Sequence, residues 1–379
     1  MKREELHIGI VGAGGFSRFA AQVFAAVPGV IISAVMDSDK SAAEQLATAH
    51  QAKAYFDYNK LLQDKSIDLI YIATPPLVHY EQSRKALLAG KHVVCEKPAA
   101  LKASESESLQ ALAKSKDLLY VVNLMQRYNP LYQVVKKIID KKILGHFLHG
   151  YFENYASDEN LDADHWFWDE RKSGGIFIEH GVHFFDMFSG WFGNGTVLNA
   201  TKLARMDNEA QLIDRVHASV LYGDAMVSFY HGFDQPKVLD RQELRLQFEK
   251  GDILLSEWVP VHMVLHGILE EKAIEEVVQL TGGTIIKRKP AGDNNDVKGR
   301  FTSIRYDAEV TIECGNRAEK EKRYKEILSA MLIDQWNWIK NRNHNRVIGA
   351  TNAVESVRMA EEASQVAKVI TRKKEVIVH

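Results

Sequence analysis

Gly12-Ala13-Gly14-Gly15-Phe16-Ser17 is the first stretch of the chain whose residue types suit chemistry. It follows a short apolar strand pattern and opens a helical one. A first glycine there permits a tight turn, and a second lets backbone approach a pyrophosphate. The helix start then offers free N–H groups and the positive end of a dipole. Asp37 ends the next strand pattern, where a carboxylate accepts hydrogen bonds from ribose hydroxyls and repels a 2′-phosphate. Ser38-Asp39-Lys40 adds no arginine to receive that phosphate, so NAD is expected rather than NADP. Glu179, His180 and His183 form a second group of chemically capable side chains. On a helix, residues four apart share a face, which aligns Glu179 with His183. Such side chains are also metal-ligand types, but no other cluster completes a coordination shell, so no metal is expected.

The elements that must position these residues follow from periodicity. Strand patterns at Leu6–Val11, Val30–Met36, Asp68–Ala73, Lys91–Cys95 and Leu118–Val122 alternate with helical ones at Ser17–Val27, Ser41–His50, Leu77–Ala89 and Ser104–Lys116. This rhythm predicts an α/β Rossmann domain, a parallel sheet with helices on both faces, over residues 1–123. After residue 123 the rhythm changes. Pro130–Lys142 and Phe177–Ser189 read as helices. Strand patterns follow at Thr196–Arg205, Arg215–Leu221, Ala225–His231, Arg241–Phe248 and Asp252–Trp258. Gly223-Asp224 marks a hairpin turn, although the usual Asp-Gly order is reversed. These strands predict a second, α+β domain over 124–350 with a large, open, mostly antiparallel sheet. Residues 262–318 show no clear period, and Lys287–Arg300 reads as a surface loop. Glu319–Lys340 and Thr351–Thr371 read as long helices. Residues 351–379 form a closing helix and strand, the helix returning toward the Rossmann domain.

Two longer signatures carry a resemblance. One is Ala73-Thr74-Pro75-Pro76 with His79, followed by Ala89-Gly90-Lys91-His92-Val93-Val94-Cys95-Glu96-Lys97-Pro98. The other runs from Ser173-Gly174-Gly175 through Glu179-His180-Gly181-Val182-His183 to Asp186, and is similar to G-G-x-x-x-D-x-G-x-H-x-x-D. Together they resemble the glucose–fructose oxidoreductase / inositol dehydrogenase / MocA family over nearly the whole chain. The resemblance implies oxidation or reduction of sugars, polyols and related compounds with NAD(H) or NADP(H). It matches Lys97 to the family's lysine and His183 to its catalytic histidine, and adds Thr74, Pro75, His79, Glu96 and Lys97 to Gly12, Gly14, Gly15, Phe16 and Asp37 as cofactor contacts. Glu179 stands where the family usually has Asp, and Ser17 where it usually has a third small residue.

Alcohol oxidation needs a hydride acceptor and a base for the hydroxyl proton. His183 fits the base, Lys97 a cation that stabilises developing alkoxide, and Glu179 a residue that orients the imidazole or binds a sugar hydroxyl. His180 borders the same pocket. In Asp164-His165-Trp166-Phe167-Trp168-Asp169, His165 and Trp166 suit a carbohydrate face, while an anchor for a surface loop accounts for the tryptophans equally well. Arg127, with Tyr128 and Asn129, sits where an interdomain cleft should lie and is a candidate substrate contact; a helix start before Pro130 explains these residues equally.

Composition bounds the rest. A net charge of −2 draws the chain to neither nucleic acid nor anionic lipid. No apolar run reaches membrane-spanning length, and the N-terminal Met1-Lys2-Arg3-Glu4-Glu5 is not a signal peptide. Cys95 and Cys314 offer neither a disulfide framework nor metal-ligand spacing, which suits a reducing cytoplasm. The expected enzyme is an NAD-dependent oxidoreductase acting on a small sugar, polyol or glycoside, assembled as a homodimer or homotetramer. Two alternatives share the fold: an NAD-dependent glycosidase working by transient sugar oxidation, and a non-catalytic NAD-binding regulator.

Overall fold

Short, uninterrupted apolar runs set the first sheet. Leu6, Ile8, Ile10 and Val11 are all at most 1% exposed, and Leu69–Ile72 is buried throughout. Strands covered on both faces need such runs, because helices close over each side. The computed structural model describes residues 4–207, 210–292, 295–299 and 303–372. Its first sheet comprises β1 (Leu6–Val11), β2 (Val30–Met36), β3 (Lys53–Tyr55), β4 (Leu69–Ile72), β5 (His92–Cys95) and β6 (Tyr120–Val122). All pairs are parallel, in the order β3-β2-β1-β4-β5-β6. The order reverses between β1 and β4, and the crevice at the carboxyl ends of the strands there is where such sheets take ligands. Gly12, Ala73-Thr74 and Glu96-Lys97 follow the ends of β1, β4 and β5.

The second sheet has ten strands in the order β14-β17-β13-β12-β11-β7-β10-β9-β8-β18. They are β7 (Phe147–Tyr155), β8 (Thr196–Asp207), β9 (Ala210–Tyr222), β10 (Ala225–Gly232), β11 (Arg241–Phe248), β12 (Gly251–Ser256), β13 (His262–Leu269), β14 (Thr284–Pro290), β17 (Ala308–Gly315) and β18 (Ala367–Arg372). Between β14 and β17, β15 (Asp296–Lys298) and β16 (Ser303–Arg305) pair with each other as a separate two-stranded sheet among the described residues. Most neighbours are antiparallel; β7–β10 and β8–β18 are parallel. One face is buried by alternation: Val216, Ala218 and Val220 of β9 and Val227 and Phe229 of β10 are all fully buried. The Gly223-Asp224 turn joins Tyr222 to Ala225, with φ +64° at the glycine. Glycine in the first central position is the pattern of a type II′ turn, which explains the reversed order of the pair.

Several sequence expectations change. β7 falls in a stretch read as neither helix nor strand. The unread region 262–318 holds β13, β17 and the helix Glu271–Thr281. The expected loop Lys287–Arg300 contains most of β14 and all of β15; its residues 293, 294 and 300 lie outside the described residues, as do residues 373–379 of the expected closing strand. The helix expected over Thr351–Thr371 stops at Val366, and Ala367–Arg372 turns into a strand beside β8.

The chain forms two compact units that are not contiguous in sequence. One joins the residues up to Tyr128 with Ala163–Asp186 and Lys325–Gln365; the other joins Asn129–Asp162, Met187–Tyr324 and the chain from Val366 on. The candidate functional residues described next all belong to the first unit.

Candidate active site

The glycine turn is fixed by its backbone. Gly12 has φ +93°, and a Cβ there would lie 2.4 Å from the Ala73 carbonyl oxygen. Only glycine fits that position. Gly14 and Gly15 differ: a Cβ on either meets nothing within 4 Å. Protein packing does not call for glycine at these two positions, whereas close approach of a ligand to the backbone does. The helix Gly15–Ala25 starts at Gly14 with no side-chain cap and no acidic residue in its first turn. Its leading N–H groups and dipole therefore face outward, as a pyrophosphate requires. Ser17, in the third small position, is 1% exposed, with its hydroxyl 3.4 Å from the Ala73 carbonyl oxygen.

Asp37 braces the same turn. Its Oδ2 accepts from the Ala13 N–H at 2.7 Å and its Oδ1 from the Asp39 N–H at 2.9 Å. A carboxylate offers about four lone-pair directions, so capacity remains for ribose hydroxyls. Asp39 caps the next helix by accepting from the Ala42 N–H. Thr74 Oγ1 donates to Gln82 Oε1 at 2.7 Å, and Pro75 beside it is exposed. These features fit a dinucleotide.

Lys97 follows β5, and its ammonium meets Glu179. Nζ donates to the Glu179 carboxylate through a short ion pair, and to the Glu179 backbone carbonyl at 2.7 Å. An ammonium has three N–H donors, so one is left over. Glu179 lies in a π-helical turn, Phe177–Gly181, that runs directly into the helix Val182–Phe192. π turns are rare and concentrate at functional sites. Gly174 and Gly175, both near φ +80°, lead into it; a Cβ on Gly174 would lie 2.6 Å from Ile178 Cγ2. The double glycine thus lets this turn close on itself. His183 is the second residue of the following helix and is 5% exposed. Burial, reinforced by the charge of Lys97, holds its pKa well below the ordinary value, so the imidazole is neutral near pH 7. His180 is half-buried, its ring 5.3 Å from that of Phe184.

Other candidates take supporting places. His79, expected as a cofactor contact, is 1% exposed, and its ring nitrogens lie 2.7 Å from the carbonyl oxygens of Pro98 and Thr74. It ties the loop after β4 to the loop after β5. Glu96 is buried and accepts from the Tyr71 hydroxyl and, at 2.8 Å, from Asn123 Nδ2. Burial raises its pKa despite these donors. Arg127, a candidate substrate contact, donates to both carboxylate oxygens of Asp186 and to its backbone carbonyl. Trp166 is half-buried between His165 and Phe167, and His165 Nδ1 accepts weakly from the Phe167 N–H at 3.3 Å. Trp168 is 8% exposed and packs edge-on against Phe167, which suits an anchor rather than a sugar platform.

Comparison with known families decides the relationship. Residues 6–124 match the model of an oxidoreductase family with an NAD-binding Rossmann fold, and residues 132–254 match the GFO/IDH/MocA C-terminal domain. The chain belongs to the GFO/IDH/MocA oxidoreductase family. It is 29% identical over 187 residues to the uncharacterized oxidoreductase YrbE of Bacillus subtilis, covering 48% of this chain and 53% of that one. It is 27% identical over 232 residues to IolW, an NADP-dependent scyllo-inositol 2-dehydrogenase of the same organism, covering 61% of this chain and 64% of that one. The chain spans about half to two thirds of the length of these curated relatives. Among solved structures, KijD10, a 3-ketoreductase from Actinomadura kijaniata in complex with NADP, superposes with a TM-score of 0.71. Identity there is 15%, with 97% of this chain and 100% of that one covered, which establishes the shared fold.

Within this GFO/IDH/MocA member, sequence reasoning passed over one partnership and two residues. Asp186 closes the second signature, but nothing local announces its bond to Arg127, 59 positions away. Tyr71 and Asn123 lie on or just after buried strands and read as core. Their link to Glu96 exists only because β4, β5 and β6 are neighbours in the sheet.

Proposed function

We propose that this protein is an NAD-dependent oxidoreductase that moves hydride between nicotinamide and a hydroxyl-bearing carbon of a sugar, polyol or glycoside. The observation that carries this reading is the Lys97 ammonium at the end of β5, held twice by Glu179 with one N–H to spare. Nicotinamide, when bound, supplies the hydride acceptor. Lys97 directs its remaining N–H at the substrate oxygen and stabilises the negative charge that grows there. Glu179 fixes the ammonium. His183, neutral and near Lys97, hydrogen-bonds the same hydroxyl. Asp37 places a negative charge at the turn that would meet a 2′-phosphate, which supports NAD over NADP.

The test is a panel of sugars, polyols and glycosides with NAD and with NADP, scored by reduced-cofactor absorbance and product mass together. One alcohol should yield its carbonyl and an equal amount of NADH. A protein that binds dinucleotide yet oxidises no member of the panel, and reduces none of the matching ketones, would overturn the reading. We further propose a homodimer or homotetramer in the cytoplasm, supported by the broad open sheet and by two buried free cysteines. Light scattering giving a monomer mass at micromolar concentration would refute the assembly.

A further inference from the structure

A cavity of about 510 Å³ lies at the end of the parallel sheet opposite the dinucleotide crevice. Leu6, Asp68 and His92 line it; they start or immediately precede β1, β4 and β5. Trp336, Ile339 and Lys340, from the last turns of the helix Lys320–Lys340, line it too. All of these residues belong to the first unit. The volume falls within the roughly 300–1,000 Å³ typical of small-molecule sites. The apolar part of the lining is held in place. Leu6, Ile67 and Trp336 are buried. The Trp336 indole is seated on Gly29, where a Cβ would lie 2.8 Å from its Cη2. Lys340 Nζ stands 3.8 Å from the centroid of that indole, a cation–π contact that steadies the ammonium at the cavity. A Cβ on Gly90, also in the lining, would meet nothing within 4 Å, so the space beside it is open.

The charges of the lining favour an anion. Three ammonium groups, of Lys65, Lys91 and Lys340, meet two carboxylates, of Glu5 and Asp68. Both carboxylates are drawn toward β1. Asp68 Oδ2 accepts from the His7 N–H at 3.0 Å, and Glu5 lies 3.8 Å from His7 Nε2. Lys91 is fixed by the carbonyl oxygens of Asp64 and Ile67, at 2.6 and 2.8 Å. His92 is kept neutral by burial, and its Nδ1 accepts from the Leu119 N–H at 2.9 Å. Its proton therefore sits on Nε2, which adds a donor. A cation would meet a net positive lining, and a purely inorganic anion would leave the apolar wall uncovered. We propose that this cavity binds a small organic carboxylate, its apolar body against Trp336 and Ile339 and its charge toward Lys65 and Lys340. Such a ligand sits at the amino ends of strands whose carboxyl ends lead to Gly12 and Lys97, so it leaves the dinucleotide crevice clear.

The experiment titrates benzoate calorimetrically into the full chain, with and without saturating NAD, and uses benzamide, benzylamine and inorganic phosphate as controls. Benzoate should bind with a Kd at or below about 1 mM, about tenfold or more tighter than any control. NAD should leave that affinity unchanged. Lys65→Gln and Lys340→Gln, both at exposed positions, should each weaken benzoate by about threefold, and together by about tenfold. Ile339→Trp, which fills the cavity, should abolish benzoate binding while NAD affinity and the melting curve stay as in the unmodified protein. Benzamide binding as tightly as benzoate would overturn the assignment of an anion. Phosphate binding as tightly would overturn the apolar half of the site. Competition with NAD, or undiminished benzoate affinity in a folded Ile339→Trp, would place the ligand elsewhere and overturn the site itself. So would the absence of binding heat up to about 10 mM benzoate in a chain with a normal melting curve.

Discussion

Arg127 grips Asp186 with two hydrogen bonds of 2.8 Å, one from Nε and one from Nη2, each to a different carboxylate oxygen. Asp186 is 1% exposed and lies three residues after His183 on the same helix. The pair ties Arg127 to this helix, one turn after His183. Arg127→Ala leaves a buried carboxylate without its cation, so stability should fall by about 3 kcal/mol. Arg127→Lys keeps the charge but not the fork, and should cost less. Urea melts of both variants measure this; a loss under about 1 kcal/mol for Arg127→Ala would mean that water or relaxation replaces the arginine.

The glycine turn yields a contrast between two substitutions of the same kind. Gly12→Ala meets backbone at 2.4 Å in a left-handed conformation and should cost about 2 kcal/mol or more of stability. Gly14→Ala meets nothing and should change stability by less than about 0.5 kcal/mol. Dinucleotide affinity should nevertheless drop about tenfold or more in Gly14→Ala, because the added methyl stands where the pyrophosphate approaches. Thermal melts paired with calorimetric titration separate the two effects. Unchanged NAD affinity in Gly14→Ala would place the phosphates elsewhere.

Cofactor choice should follow Asp37. The unmodified protein should bind NAD more tightly than NADP, and Asp37→Ala should narrow the gap. The same change removes the acceptor for the Ala13 N–H, so NAD itself should bind less tightly. Titration showing tighter NADP binding to the unmodified protein would reverse the assignment.

Lys97→Ala should lower turnover by roughly a hundredfold or more, while NAD affinity stays within about threefold, since the side chain serves the substrate oxygen. Matched steady-state kinetics and titration decide it; a parallel loss of NAD binding would instead assign Lys97 to the cofactor.

Acid should unfold the protein through its buried neutral histidines. Burial pushes His92 down to about 4 and His231 to about 3 from an ordinary 6.5. Between those values the unfolded chain binds protons that the folded chain refuses, so stability is full above about 6.5 and falls as pH drops toward 4. Urea midpoints from pH 7.5 to 4.5 should decline accordingly, and His92→Gln should flatten the slope. A midpoint that rises on acidification would contradict the sign.

The features legible in the sequence were those whose cause is local. Gly12 needs its positive φ whatever surrounds it, and the strand ending at Val11 is buried by its own composition. The unread parts depend on distant partners. β14 is polar because it lies at a sheet edge and, among the described residues, pairs with β17 alone, so its exposure mimics a loop. The closing strand was expected, but β18 begins within the expected helix with no glycine or proline before it, and pairing with β8 sets where it starts. The π turn at Phe177–Gly181 adds a register shift that helical spacing does not reveal. Arg127 read as a candidate substrate contact from its place in the chain, and nothing local announced that its guanidinium meets Asp186.

The interleaving of the two units has a consequence for biogenesis. The first unit needs Lys325–Gln365, and the edge of the large sheet needs Ala367 beside Ala200. A ribosome releasing the chain from its N-terminus therefore delivers all six strands of the parallel sheet long before the segments that complete its unit emerge. Loop closure over such separations is slow, and the waiting surfaces are apolar. Nascent chains of this protein should thus depend on chaperone shielding until synthesis is nearly done, and no single cut yields either unit as an autonomous fragment.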